Sequence, residues 1–161
     1  MLHCFICSTC NGTVSDESRE QIGRIARQLA HDVVKHMTNG AKCRTTPYSI
    51  TLLRVVDELS SRHEILFKSI VRRLDPTESL DERGCSHMIA GIGDELFSDD
   101  QYNWGRVVTL FAFIGWLSHS LTQKTSSDRS TCCADMIADV GGNYMANKCS
   151  AWVSQQGGWV S

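Results

Sequence analysis

The chain has 161 residues, a formal net charge of −2, only 2 prolines and 7% aromatic residues. That length suits one domain with a sizeable core, and the near-neutral charge leaves no basic footprint for nucleic acid. Cys43, Cys85, Cys132, Cys133 and Cys149 are scattered among helical segments, so they read as free thiols of a reducing compartment rather than a disulfide framework. The start, MLHCFICSTC, has no basic region before its short apolar stretch, and no secretory leader is expected.

In chain order, residues 1–14 read as a flexible N-terminal extension. Its Cys4, Cys7 and Cys10 stand beside His3 at a spacing that could hold zinc. No second Cys-x-x-Cys pair completes a zinc module, so no metal and no other cofactor is expected. A helix starts at Ser15 or Ser18 and runs to about Met37, stopped by Asn39-Gly40. Ile22, Ile25, Ala26, Leu29, Val33 and Val34 form its apolar stripe. A loop over 39–47 ends at Pro47. The next helix spans about Tyr48–Ser61, with Leu52, Val55, Val56 and Leu59 on one side. Further helices follow near His63–Leu74, ending before Asp75-Pro76, and near Ser86–Phe97. A long apolar helix covers about Trp104–Lys124. Another starts at Ser127 or Ser130 and runs to about Ala146, with a bend expected at Gly141-Gly142, since each glycine costs about 1 kcal/mol relative to alanine. Short helices around Cys149–Gln155 and after Gly157 end the chain.

Residues 103–106, Asn-Trp-Gly-Arg, carry the most information. Asn103 suits a helix N-cap, because its side-chain oxygen can accept from a free backbone N–H of the first turn. Gly105 lets another backbone approach. Arg106 offers a fork of donors suited to a carboxylate. Val107 to Leu117, VVTLFAFIGWL, is apolar on nearly every face, as in a central core helix, and is shorter than the roughly 20 residues a membrane span needs. Asn103 alone is an ordinary cap and Arg106 alone an ordinary ion-pair residue. Joined to a buried helix, they suit a peptide-docking site better than a catalytic one.

The segment ELFSDDQYNWGRVVTLFAFIGWLSHSL resembles the first homology region of the Bcl-2 family of apoptosis regulators. WVSQQGGW, Trp152 to Trp159, is similar to the second region, with Gly157 and Gly158 ending one helix and Trp159 capping the core. LLRVVD, Leu52 to Asp57, followed by ELSSRHEILFKSI, resembles the third region, and its Arg-His-Glu is close to the myeloid-cell-leukaemia branch of pro-survival members. The three segments lie in the family's order. One position departs: the family usually has a small residue before the aspartate of the third region, and here that residue is Val56. A β-branched side chain there should clash when the segment acts as a ligand.

The resemblance implies an all-α, Bcl-2-like bundle over residues 15–161, about eight helices around a central hydrophobic helix. It implies a pro-survival regulator, not an enzyme, that binds amphipathic death-ligand helices of Bim-, Bak- or Bax-like relatives in a surface groove. By position against the family, His63, Phe67 and Ile70 would form one wall. Ile92 and Leu96 would lie on the helix before the motif. Thr109, Leu110 and Phe113 would form the floor, and Arg106 would pair with the ligand's aspartate beside Asn103 and Gly105. An autophagy-regulator helix of the beclin type is a further implied partner. Because the family often carries an apolar tail beyond the second region, a removed membrane anchor is expected. The expected place is the cytoplasmic face of the mitochondrial outer membrane or the endoplasmic reticulum, with a cytosolic pool. The alternatives are a pore-forming Bak- or Bax-like member, which Val56 weakens, a colicin-like membrane inserter, and a Cys-dependent enzyme. The last lacks a recognisable nucleophile motif or Gly-rich phosphate loop.

Overall fold

In the computed structural model, residues 2–40, 46–73, 81–123 and 127–159 are described, with side chains described from Ser18 onward in the first helix and from Cys133 onward in the last. Among these residues there are six helices and no strand: α1 (Leu2–Asn39), α2 (Ser49–Arg62), α3 (Glu64–Arg73), α4 (Glu82–Leu96), α5 (Trp104–Gln123) and α6 (Ser127–Gln155). α1 begins at Leu2 rather than at Ser15 or Ser18, so the segment 2–14 continues the helix instead of forming a separate extension. Its side chains, with His3 and the cysteines, lie outside those described, as do Cys43, the Cys132 side chain and Asp75-Pro76.

The apolar run of α5 makes it the centre. Eleven of its residues are buried, among them Leu110, Phe111, Phe113 and Ile114. Its one fully buried hydroxyl, Ser118 Oγ, returns a hydrogen bond to the carbonyl of Ile114, 3.0 Å, so no polar group is stranded. α1 lays Ile22, Ala26, Leu29, Val33 and Val34 against this core, as the stripe in its sequence predicts. Where α1 crosses α5, a Cβ on Gly115 would come within 2.7 Å of Val33, so the missing side chain sets the approach of the two helices.

α6 differs from the two-helix expectation. It is continuous through Gly141-Gly142 and past Asn147. A Cβ on Gly141 would meet Ile114 at 2.9 Å, and one on Gly142 would meet the backbone Cα of Arg27 at 2.9 Å. The glycine pair is therefore a packing surface for α5 and α1, and tertiary contact overrides its low helix propensity. No helix follows Gly157 among the described residues. Gly157 and Gly158 have φ of +88° and +108°, and their N–H groups donate to the carbonyls of Ser154 and Val153, both at 3.0 Å. That is a Schellman ending, which glycine favours because of its freedom at positive φ. α4 begins earlier than the expected Ser86, because Asp81 caps it by accepting from the N–H of Gly84 at 2.9 Å. Among the described residues the helix count is six rather than about eight.

The start of α2 is tied down by a buried polar cluster. Ser49 Oγ donates to the carboxylate of Asp32 on α1, 2.6 Å, and accepts from the N–H of Thr46, 3.2 Å. Asp32 is 1% exposed and, through Ser49, meets the N-terminus of α2, where the dipole favours negative charge.

A candidate helix-docking groove

Asn103 caps α5 as its sequence predicts: its side-chain oxygen accepts from the N–H of Arg106 at 2.9 Å. This places Gly105 in the first turn, exposed, where a Cβ would meet only the Asn103 oxygen, at 3.2 Å. At helical spacing, Val108 and Thr109 lie to either side of Gly105, and each borders a different apolar cleft.

The first cleft, about 180 Å³, is lined by Leu66, Phe67, Ile70, Ile92, Leu96 and Thr109, with Arg73 and Glu95. Five of the groove residues read from the sequence thus come together: Phe67, Ile70, Ile92, Leu96 and Thr109. Leu110 and Phe113, both 0% exposed, do not line it but lie in the core, where Phe113 supports Phe67 edge to face, centroids 5.4 Å apart. His63 is the C-cap of α2 and stands against Phe67, centroids 6.2 Å apart. Leu66, Arg73 and Glu95 were not foreseen. Leu66, Ile70 and Arg73 recur at i, i+4 and i+7, which is the signal that could have found the first two.

The second cleft, about 100 Å³, is lined by Tyr48 at the N-cap of α2, by Thr51, Leu52 and Val55 of α2, by Leu29, by Trp104, Val107, Val108 and Phe111 of α5, and by Trp159. No local pattern in the chain marks it. It forms because the segments around Trp104, Trp152 and Trp159 converge. The Trp104 ring lies 4.8 Å from Trp152 and 5.9 Å from Trp159, and Trp159 also packs on Phe111. Trp159 is fixed by its indole N–H, which donates to the carbonyl of Ile22 at 3.1 Å, satisfying the ring's polar edge.

Arg106 is engaged within the chain. Nη1 and Nη2 donate to Asp99 Oδ1 and Oδ2 at 2.6 and 3.1 Å, and Nη1 also donates to the carbonyl of Gln101 at 2.6 Å. These bonds, with the N–H of Gln101, hold the Asp99 carboxyl down at about 2 and raise the Arg106 guanidinium above its ordinary value. The arginine is 31% exposed and the aspartate 53%, so the pair is open to exchange with another carboxylate.

The third-region segment faces inward. Leu52 and Leu53 are buried and Val56 is 0% exposed. Asp57 is taken by His36 of α1, whose Nε2 lies 2.8 and 2.9 Å from its two oxygens. Asp57 accepts only, so that ring nitrogen carries the proton.

No group of three or more metal-binding side chains exists among the described residues. Cys85 and Cys149 are buried free thiols. Burial, then the neighbouring Cys133 and Asp81, pushes Cys85 up to about 11, and burial pushes Cys149 up to about 12. Neither has the thiolate character of a nucleophile.

The sequence pattern described as apoptosis regulator proteins, Bcl-2 family, matches residues 52–159. The anti-apoptotic protein NR13 of Coturnix japonica is 24% identical over 131 residues, covering 81% of this chain and 70% of that protein. The apoptosis regulator BAX of Bos taurus is 30% identical over 118 residues, covering 71% of this chain and 54% of that protein. The zebrafish pro-survival protein NRZ, solved in complex with a Bad BH3 segment, has the same fold. Its TM-score is 0.73 at 20% identity, covering 89% of this chain and 93% of that one. Three motifs in order, a buried central helix and a matching fold lead to one conclusion: the chain belongs to the Bcl-2 family of apoptosis regulator proteins, which are not enzymes.

Proposed function

We propose that this chain is a pro-survival regulator that sequesters amphipathic death-ligand helices of Bim-, Bak- or Bax-like relatives in the groove formed by the two clefts. The observation that carries this reading is the exposed Gly105 between two apolar clefts, beside an arginine that already grips a carboxylate through two nitrogens. The ligand's apolar anchors would supply most of the affinity. Its aspartate would exchange with Asp99 for Arg106 and set the register. The buried Val56 and the Asp57–His36 contact support the view that this chain receives such a segment rather than offering its own.

The test is titration with a labelled Bad BH3 peptide of the kind seen on NRZ. Wild-type protein should bind it. Arg106→Ala in the protein, or Ala for the aspartate in the peptide, should each weaken binding at least about tenfold. The peptide change leaves the protein untouched, so its effect cannot come from unfolding. Failure of the folded wild type to bind any peptide of this class would sink the reading.

The kinship with BAX favours a second reading, a pore-forming member. It expects dye release from anionic vesicles by the protein alone, whereas the pro-survival reading expects none. Among the described residues no helix is long and apolar enough to cross a membrane. The proposal also includes a place of action on the cytoplasmic face of the mitochondrial outer membrane or the endoplasmic reticulum, and a beclin-type helix as a further ligand. Cell fractionation and the same titration test these two points.

A further inference from the structure

Only two of the residues lining the cleft between α3 and α4 are charged, and they face each other. Arg73 Nη2, on the last turn of α3, lies 3.4 Å from Glu95 Oε2 and 3.5 Å from Glu95 Oε1, at the end of α4. Both side chains are 60% exposed. An exposed pair contributes little to stability and is screened by salt, so the two can part at small cost. The pair joins the two walls between which a partner's apolar side chain would sit. With the pair parted, a cation and an anion flank the cleft, each able to meet a charge on the arriving helix.

We propose that Arg73 and Glu95 form a charge-selective gate. In the free protein it bridges the two walls of the cleft and, when parted, it selects partner helices that carry an acidic and a basic residue on either side of the anchor filling the cleft. The inference rests on the proposed helix-binding function and specifies which helices that groove accepts. A helix with its charges in the matching order pairs with both gate residues. A helix with the reversed order sets like against like, and such repulsion is a common source of specificity. Arg106, next to Gly105 and bound to Asp99, fixes register. The gate instead reads charge order.

The experiment uses pairs of Bad BH3 peptide derivatives of equal net charge. For each apolar anchor in turn, one derivative carries Glu before and Lys after the anchor, and the other carries the reverse. Each pair is titrated against wild-type protein and against R73E/E95R, which keeps an ion pair at the mouth with its polarity inverted. At one anchor, wild type should prefer one derivative by roughly threefold to tenfold. R73E/E95R should prefer the other by a similar factor. Both preferences should shrink near 1 M salt, where the screening length is about 3 Å. If no anchor shows inversion while the peptides still bind, the gate is overturned and helix binding stands. If wild type binds none of the peptides, the gate and the proposed function fall together.

Discussion

α5 and α3 meet at the groove but are built on opposite terms. α5 buries eleven of its twenty residues, whereas α3 buries two of its ten, Phe67 and Ile70. α3 leaves Ile65 85% and Leu66 50% exposed. One helix is a floor whose shape is set by packing on every side, and the other is a wall held by two aromatic and aliphatic plugs and an exposed ion pair. An element with so few buried side chains is expected to open locally at lower cost than the floor it packs on.

The largest expected effect tests the floor. Leu110→Ala should cost about 2–5 kcal/mol of stability, read from urea unfolding, because Leu110 is 0% exposed and its loss leaves a cavity. A cost near zero would mean that α5 is not the foundation. Next comes the seam between α1 and α6. Gly142→Ala forces a Cβ toward the Arg27 backbone and should cost about 1–3 kcal/mol. An unchanged midpoint would show that the two long helices can slide apart. On the wall, Leu66→Ala should change stability by less than about 0.5 kcal/mol yet weaken ligand binding severalfold. Amide exchange in α3 should also outpace that in α5. Equal protection of the two helices would erase the distinction between them.

The smallest effect concerns the tie at the foot of α5. The Asp99 carboxyl lies below its ordinary value because Arg106 and the Gln101 N–H hold its charged form. Its link to Arg106 is therefore complete above about pH 4 and is lost as pH falls through about 2. Carboxyl-carbon NMR should show that midpoint. Titration near pH 4 would mean that Arg106 is already free for a ligand.

Much of this was readable in advance because it depends on local chemistry. The Asn103 cap, the apolar run of α5, the α1 stripe and the glycine stop after Gln155 all follow from neighbours within a few residues. The continuity of α6 was not readable. Gly141 and Gly142 look like a bend until Ile114 and Arg27 are brought against them, and the expected stop near Ala146 is absent because α6 runs on to Gln155. The Arg73–Glu95 pair was equally hidden, since it joins residues 22 positions apart. Leu110 and Phe113 show the reverse error. Position against the family placed them on the groove floor, but both are 0% exposed, and Phe67 packs on Phe113, which supports the lining without being part of it. The donor fork of Arg106 suits a carboxylate, but nothing local shows that Asp99 of the same chain occupies it.

The position of Trp159 also gives the protein an optical readout. Trp104 and Trp159 both line the second cleft, half-buried, and Trp159 is anchored to the Ile22 carbonyl. A helix settling beside Gly105 would remove water from both indoles and shift their emission to the blue. Trp116 instead packs on Phe67 and Phe113, with its ring 5.8 Å from Phe67, and Trp152 stands 4.8 Å from Trp104. Single-tryptophan variants of unlabelled protein would therefore separate a signal from the second cleft from one that reports on the packing of α3.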